Sequence, residues 1–509
     1  MAVTRSKILS LEELAAVIAE HKTNSRRVVQ CHGIFDLIHP GHIRHFEQAK
    51  QEGDVLVVTL TPDRYVNKGP GRPVFNELLR SETIAALACV DHVAVNDWPT
   101  AVETIHLLKP DVYVKGEEYE TAETDLTGMI FEEERAILEE GGRLHFTHDL
   151  TFSSSHLLNA VFDVFTPEAS AFLNTFRQRY SADDVIDLLT SFQAQKVLVV
   201  GDAIVDEYVF CRAYGMASKS TSIAAQLQYE EHHAGGAMAV ANHLAGFCAE
   251  VDLVTCLGAL DSREDWIRAH LKPNVAATFH LRPDAPTTVK RRYVSDSLIT
   301  KMFEVAQFTD EALPEDVEAA VERDLAQRAE AADVVVVVDF GHGFLGPQAI
   351  ETIAGAARFL ALNTQTNAIN LGYNPVTRYP RADYVCIDVE EAQLAYGDRK
   401  APIEVVVAAL APRLGTPVFA ITRGRQGSIV RATDGETASV PIFSREVVDT
   451  IGAGDSFLAL TAPCAKLGCP PELIGFVGNA VGALAVRVVG NKESVEPIPL
   501  YKFISTLLK

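Results

Sequence analysis

Two closely spaced glycines and an acid stand ahead of an apolar run in Val448 to Ser456, VDTIGAGDS, followed by Phe457, Leu458, Ala459 and Leu460. That spacing reads as a tight turn at a helix N-terminus, whose open N–H groups and positive dipole end hold an anion. Asp455, just inside the helix, can take a proton from an attacking hydroxyl while the backbone of Gly452, Ala453 and Gly454 holds the phosphoryl group in transfer. A bare GxGD is usually an ordinary helix entry with an acidic cap, but the full string is far more specific. No GxxxxGK[ST] occurs in the chain, so a P-loop is not the competing idea.

A second constellation lies in CHGIFDLIHPGH, residues 31–42. His39 and His42 are three apart at a helix start and can point to one face beside free N–H groups. Two such donors suit a nucleotide α-phosphate, where charge builds as an oxygen enters and pyrophosphate leaves. A bare HxxH is most often a pair of incidental histidines, so context decides. Lys115 stands at a strand end in VKGEEY, and Ser153, Ser154 and Ser155 form a turn that opens a helix; each alone is as readily a solvated loop.

The elements that must position these residues alternate. RVVQC, VLVVTL, HVAVN, DVYVK and RLHF read as strands separated by helical stretches, which predicts a parallel α/β sheet with its site at the carboxyl ends of the strands. In the second half KVLVV and ADVVVVVD read as buried parallel strands, while AAQLQYEE and LITKMFEV read as exposed antiparallel ones. Between the halves, Phe172, Phe176, Val185, Leu188, Leu189 and Phe192 keep a helical spacing broken at Ser181, an N-cap. This predicts a helical linker, with packing between the halves or a dimer surface as alternatives. The expected domains are 1–160, a linker over 161–195, and 196–509.

With its strand before and helix after, the 31–42 stretch resembles the HxGH nucleotidyltransferases of the cytidylyltransferase type, and 448–456 resembles the signature of the ribokinase family of carbohydrate kinases. Together they are similar to the bifunctional heptose kinase/adenylyltransferases of lipopolysaccharide precursor synthesis, with the two halves in reversed order. The resemblance implies a Rossmann-like nucleotidyltransferase domain, then a ribokinase-like α/β domain with a small β lid. In the first it implies nucleotide contacts from Gly33, Phe35, Asp36, Lys115 and Ser153 to Ser155, and from Lys68 and Arg72 of a mobile basic loop. His32 departs from the pattern of that half, which puts nucleotide or substrate preference in doubt. In the second it implies Asp455 as catalytic base and sugar contacts from Asp202, Asp206, Gly235, Gly236 and Asn242. It also implies ATP contacts from Thr422, Gly424, Gly427 and Asn479, and magnesium ordered by Asp388 and Glu391, mainly through water. The basic cluster Lys290, Arg291 and Arg292 suggests a place for a phosphate already on the sugar, or a charged edge strand. LNTQTNAINLGYNP (362–375) departs from the family: Asn363, Gln365 and Asn367 stand where relatives carry an Asp-Pro run.

The 509 residues carry a formal charge of -23, which disfavours nucleic acid and anionic membranes as partners. The eight cysteines form no CxxC pair, and no 18-residue apolar run occurs, which fits a reducing cytoplasm. The expected function is anomeric phosphorylation of a sugar or sugar phosphate with ATP, and nucleotidyl transfer from ATP or CTP to a sugar 1-phosphate, with magnesium at both sites and a homodimer as the expected assembly. A polyol-phosphate cytidylyltransferase fused to another sugar kinase is one alternative, separable by a substrate screen with CTP. A half serving only as a nucleotide-binding regulatory module is the other, and retention of His39, His42 and Asp455 speaks against it.

Overall fold

The computed structural model describes residues 2–66, 72–117, 129–148, 165–295, 300–366, 370–432 and 435–509; Lys68, Ser153, Ser154, Ser155 and Asn367 lie outside them. The chain divides into two units, Met1–Thr166 with Tyr501–Lys509, and Pro167–Leu500.

In the first unit, β1 (Val28–Gly33), β2 (Val55–Leu60), β3 (His92–Val95), β4 (Val112–Gly116) and β5 (Arg143–Thr147) form one sheet in the order β3-β2-β1-β4-β5. Every pair is parallel. β2 is buried along its whole length, which is why VLVVTL is continuously apolar rather than alternating. The order turns back between β1 and β4, and a crevice opens at such a switch point. His39 caps the Pro40–Gln51 helix just beyond β1, with Pro40 in its first turn. Phe46 and Ala49 of that helix pack into the core against β1 and β2.

The second unit is built on nine strands: β6 (Lys196–Gly201), β9 (Glu250–Gly258), β10 (Val275–Arg282), β13 (Val334–Asp339), β14 (Leu360–Thr364), β15 (Tyr384–Asp388), β16 (Val418–Thr422), β17 (Ser428–Ala432) and β18 (Thr437–Val440). Their order is β10-β9-β6-β13-β14-β15-β16-β17-β18. All pairs up to β16 are parallel, and β17 and β18 close the edge antiparallel. A second sheet holds β7 (Ala203–Met216), β8 (Ile223–Gly236), β11 (Thr288–Ser295) and β12 (Thr300–Gln307) in the order β12-β11-β7-β8. AAQLQYEE and LITKMFEV pair antiparallel as expected, β8 with β7 and β12 with β11, whereas the charged-edge alternative for the basic cluster does not hold. β11 and β7 pair parallel, so the small sheet is mixed, and β11 has a neighbour on each side, so the Lys290–Arg292 cluster is not on an edge.

Residues 167–195 are helical, and Ser181 caps Ala182–Ser191 with a reciprocal bond to Asp184. They are core rather than tether. Phe176 stacks on Phe476 at 4.2 Å between ring centres, Phe172 lies 6.1 Å from Phe443, and Arg179 pairs with Glu472 at 2.6 Å.

Candidate active sites

At the carboxyl ends of β14, β15 and β16 a cavity of about 640 Å³ opens in the second unit. The Ala453–Lys466 helix points its N-terminus into it, with Gly452 as N-cap at φ 80°. A side chain at Gly452 would meet the Asn491 amide at 2.0 Å, so the left-handed turn and the close packing both require glycine. Gly454 differs: a Cβ there would meet nothing within 4 Å beyond its own stretch of helix backbone, and the space it leaves belongs to the cavity.

Asp455 is buried in the first turn of this helix and lines the cavity. Burial and the nearby Asp206 push its carboxyl up to about 7, while Lys290 and a bond from Gln365 pull it back. Gln365 Nε2 donates to Asp455 Oδ1 at 2.9 Å. A carboxylate poised near neutrality is suited to accepting a hydroxyl proton.

Opposite the helix, Asp206, Lys290 and Arg292 reach the same cavity from β7 and β11. Strand alternation puts residues 290 and 292 on one face and turns Arg291 away, where it pairs with Glu207 at 2.5 Å. Arg292 donates to Asp206 and, at 2.9 Å, to Glu304. Among the described residues Lys290 has no carboxylate partner; its ammonium sits 5.1 Å over the Phe340 ring, and burial lowers its pKa. Lys290 is therefore a cation on the β11 side of the cavity with charge to spare; Arg423 and Arg425 line the wall beyond β16.

On the far side Thr422, Gly424, Gly427 and Asn479 line the wall. Asn479 Nδ2 is tied to Ser428 Oγ at 3.1 Å and Val440 O at 2.9 Å, so it buttresses that wall. Asp388 and Glu391 face the cavity from a reciprocal cap: Asp388 Oδ1 accepts the Glu391 N–H at 2.7 Å, and Glu391 Oε2 accepts the Asp388 N–H at 2.9 Å. Glu391 Oε1 also accepts the Thr366 N–H at 3.0 Å. Burial and the Asp388 charge push Glu391 up to about 8. Two acids crowded in this way fit a hydrated divalent cation, and no group of three or more ligating side chains for direct coordination occurs among the described residues.

In the first unit the His39 and His42 rings stack at 3.9 Å, and Phe35 meets His42 edge-on at 5.5 Å. Phe35, at φ 47°, also packs on Phe46 at 4.9 Å, and a Cβ at Gly33 would press on its ring at 3.0 Å. Gly33 and Phe35 thus set the histidine pair from behind. Burial lowers the His39 pKa, leaving a neutral ring at pH 7 that donates one N–H. Asp36 accepts the N–H groups of Val74 and Phe75 at 2.9 and 3.1 Å, anchoring the chain just after residues 67–71. Arg72 is buried, and burial lowers its pKa against the opposing pull of Asp36. Lys115, at the end of β4, pairs with Glu133 at 2.8 Å. His32 is held by Thr59 at 3.0 Å and Thr61 at 3.2 Å, and burial takes its pKa down to about 3, so its ring serves the sheet interior.

Residues 194–498 match the model of the pfkB family carbohydrate kinases, 60% of the chain. The chain belongs to the pfkB family. Residues 31–159 match the cytidylyltransferase-like model, so the kinase carries a nucleotidyltransferase unit ahead of it. Bifunctional protein HldE of Azorhizobium caulinodans is 46% identical over 114 residues, 22% of this chain and 24% of that protein. HldE of Helicobacter pylori is 40% identical over 140 residues, 27% of this chain and 29% of that one. The chain thus spans about a quarter of the length of these relatives. Among solved structures, phosphofructokinase-2 of Escherichia coli in complex with potassium superposes with a TM-score of 0.50 over 61% of this chain and 99% of that one, at 14% identity, a likeness of fold.

Within the kinase unit most of the residues expected at the site do line the cavity, and three do not. Asp202 turns its carboxylate to the Phe340 N–H at 2.8 Å and lines a separate pocket of about 20 Å³. Asn242 bridges the His270 carbonyl and the Lys272 N–H, both at 2.9 Å, and so braces a loop. Gly235 acts indirectly, since a Cβ there would meet Asp206 Oδ2 at 2.2 Å. The unusual 362–375 segment also gains an account: Asn374 Nδ2 donates to the Asp339 carbonyl at 2.9 Å and Asn370 to the Phe340 carbonyl at 2.8 Å, pinning the segment to the end of β13. Gly482 and Asn491 line the cavity without having been singled out in the sequence.

Proposed function

We propose that the kinase unit phosphorylates the anomeric hydroxyl of a sugar phosphate with ATP, heptose 7-phosphate being the first candidate. After a separate phosphatase has hydrolysed the phosphate the sugar already carried, the other unit transfers a nucleotidyl group from ATP or CTP to the resulting sugar 1-phosphate and releases pyrophosphate, giving an activated sugar for glycan assembly. The observation that carries the kinase reading is the meeting of Asp455, the Gly452–Gly454 turn and Lys290 in one cavity. The sugar hydroxyl gives its proton to Asp455 as its oxygen bonds to the γ-phosphorus and the bond to ADP breaks. The helix N-terminus takes up charge on the transferred group, and Lys290 holds the phosphate already on the sugar. Asp388 and Glu391 would hold magnesium through water, and that ion supplies screening of the polyphosphate charge when bound.

In the first unit the His39 and His42 N–H groups suit the α-phosphate as pyrophosphate leaves. A reducing compartment is supported by the eight cysteines, all free. A homodimer is supported by the β7–β8 arm, where Tyr214 is 67% exposed, Met216 63% and Leu227 54%. A projecting two-stranded hairpin with such a surface calls for a partner, and a second copy is the proposed one.

The test is the mass of the product from heptose 7-phosphate, ATP and magnesium, with Asp455→Asn and His39→Ala alongside. A bisphosphate from wild type and His39→Ala but not from Asp455→Asn is expected. Loss of both activities in a folded single variant would defeat the two-site reading.

A further inference from the structure

Gln365 lies just past β14, where its backbone N–H donates to the Asp339 carbonyl at 2.8 Å and its own carbonyl accepts Asn374 Nδ2 at 3.5 Å. The next residue, Thr366, is fixed through its N–H to Glu391. Held on both sides, the Gln365 side chain is aimed at Asp455 Oδ1, and among the described residues Oδ2 has no hydrogen-bond partner. We infer that Gln365 is the positioning residue of the kinase base: its amide N–H fixes one oxygen of Asp455 and leaves the other to face the acceptor hydroxyl. The inference rests on the kinase reading above.

A neutral donor suits this position. The charges around Asp455 come from three elements: Asp206 on β7, Lys290 and Arg292 on β11, and Glu391 on the helix after β15. Asp206 and burial favour the protonated carboxyl, and Arg292 is already engaged by Asp206 and Glu304. A lysine or arginine at 365 would hold the carboxylate too low to accept a proton and would compete for the phosphoryl group. An apolar residue would leave the base protonated and free to rotate. An amide favours the ionised form and contributes no net charge.

Three variants test this: Gln365→Leu, Gln365→Glu and Asp455→Asn. The substrate-independent readout is the pH dependence of carbodiimide labelling of Asp455, mapped by mass spectrometry, because the reagent attacks the protonated carboxyl. The second readout is ADP release from ATP with heptose 7-phosphate, and with water as acceptor. In Gln365→Leu the labelling midpoint moves up by about one pH unit, the scale of one lost hydrogen bond to a charged group. The acid limb of kcat follows it, with KM for ATP unchanged. Gln365→Glu moves both further up, because two carboxyls then share a proton, and it stands in if the leucine variant fails to fold. A labelling midpoint equal to wild type in either folded variant overturns the inference. Phosphoryl transfer persisting in Asp455→Asn overturns the assignment of Asp455 as the base, on which the inference rests, so the two failures are distinct.

Discussion

Lys301, on strand β12 of the small sheet, places its ammonium 2.6 Å from Asp449 Oδ1, three residues before the Gly452 turn. The other oxygen of Asp449 accepts the Tyr208 hydroxyl at 2.9 Å and the Gly490 N–H at 3.1 Å. One carboxylate thus joins two strands of the small sheet to the loop that shapes the anion site. Lys301→Met is expected to cost about 1 kcal/mol in urea unfolding, a charge-assisted bond discounted because the lysine is partly exposed. The loss should be pH-dependent. Burial pushes the Asp449 carboxyl up, but the Lys301, Ile451 and Tyr208 bonds outweigh it and hold the group below its ordinary value. The stabilisation is therefore complete above about pH 4 and lost as pH falls through the folded value. The gap between wild type and variant should close in that acid range.

Turnover of the kinase unit should fall as pH drops through about 7, where Asp455 protonates. Its raised pKa means the folded state holds a proton that the unfolded chain has released, so between about pH 4 and pH 7 this group costs stability as pH rises. Asp455→Asn should therefore abolish phosphoryl transfer and raise the melting temperature at pH 8, by about 2–4 °C for each kcal/mol relieved. Calorimetry with an ADP assay checks both signs.

Gly482 sits in the Pro471–Ala485 helix, lines the cavity, and a Cβ there would meet nothing within 4 Å beyond its own stretch of helix backbone. Neither backbone nor packing requires glycine there. Gly482→Ala should stabilise the helix by about 0.5–1 kcal/mol. Gly482→Leu should weaken ATP binding, read by titration calorimetry, without unfolding the protein. A leucine variant with wild-type affinity would show that this stretch of cavity is not used by nucleotide.

Leu227→Lys with Tyr229→Lys on the exposed arm should shift a dimer to monomer in analytical ultracentrifugation. Both residues are at least half exposed in the single chain, 54% and 50%; Tyr229 also stacks on the buried Phe210 at 4.4 Å, so the variant should lose some stability and remain folded, which a melting curve checks. A wild-type protein that sediments as a monomer would remove the proposed partner.

Local chemistry was legible in the sequence and tertiary chemistry was not. Gly452 to Asp455 work through consecutive backbone, so their spacing pointed to an anion site, and the family resemblance pointed to Asp388 with Glu391; all of them line the cavity. Asn242 shows the limit: it lies on the expected helix, but which side of that helix meets the cavity depends on how it packs, and Asn242 turns to the His270–Lys272 loop. Asp202 failed in the same way, drawn aside by the N–H of Phe340, 138 positions away. Gln365 was noticed as an oddity of composition, yet its role depends on a bond to a residue 90 positions on. The small sheet was expected from alternation, but alternation carries no information on which strands pair, and the parallel β7–β11 contact went unseen.

The stacking of Phe176 on Phe476 bears on how such genes can be cut and joined. Family resemblance to the kinases begins at residue 194, yet the body that contains it begins at Pro167. A gene trimmed to the recognisable kinase would lose the Pro167–Phe176 and Ala182–Ser191 helices and lay bare the Phe443 and Phe476 rings beneath them. The segment that recombination can carry intact is thus longer than the segment that inheritance has kept recognisable.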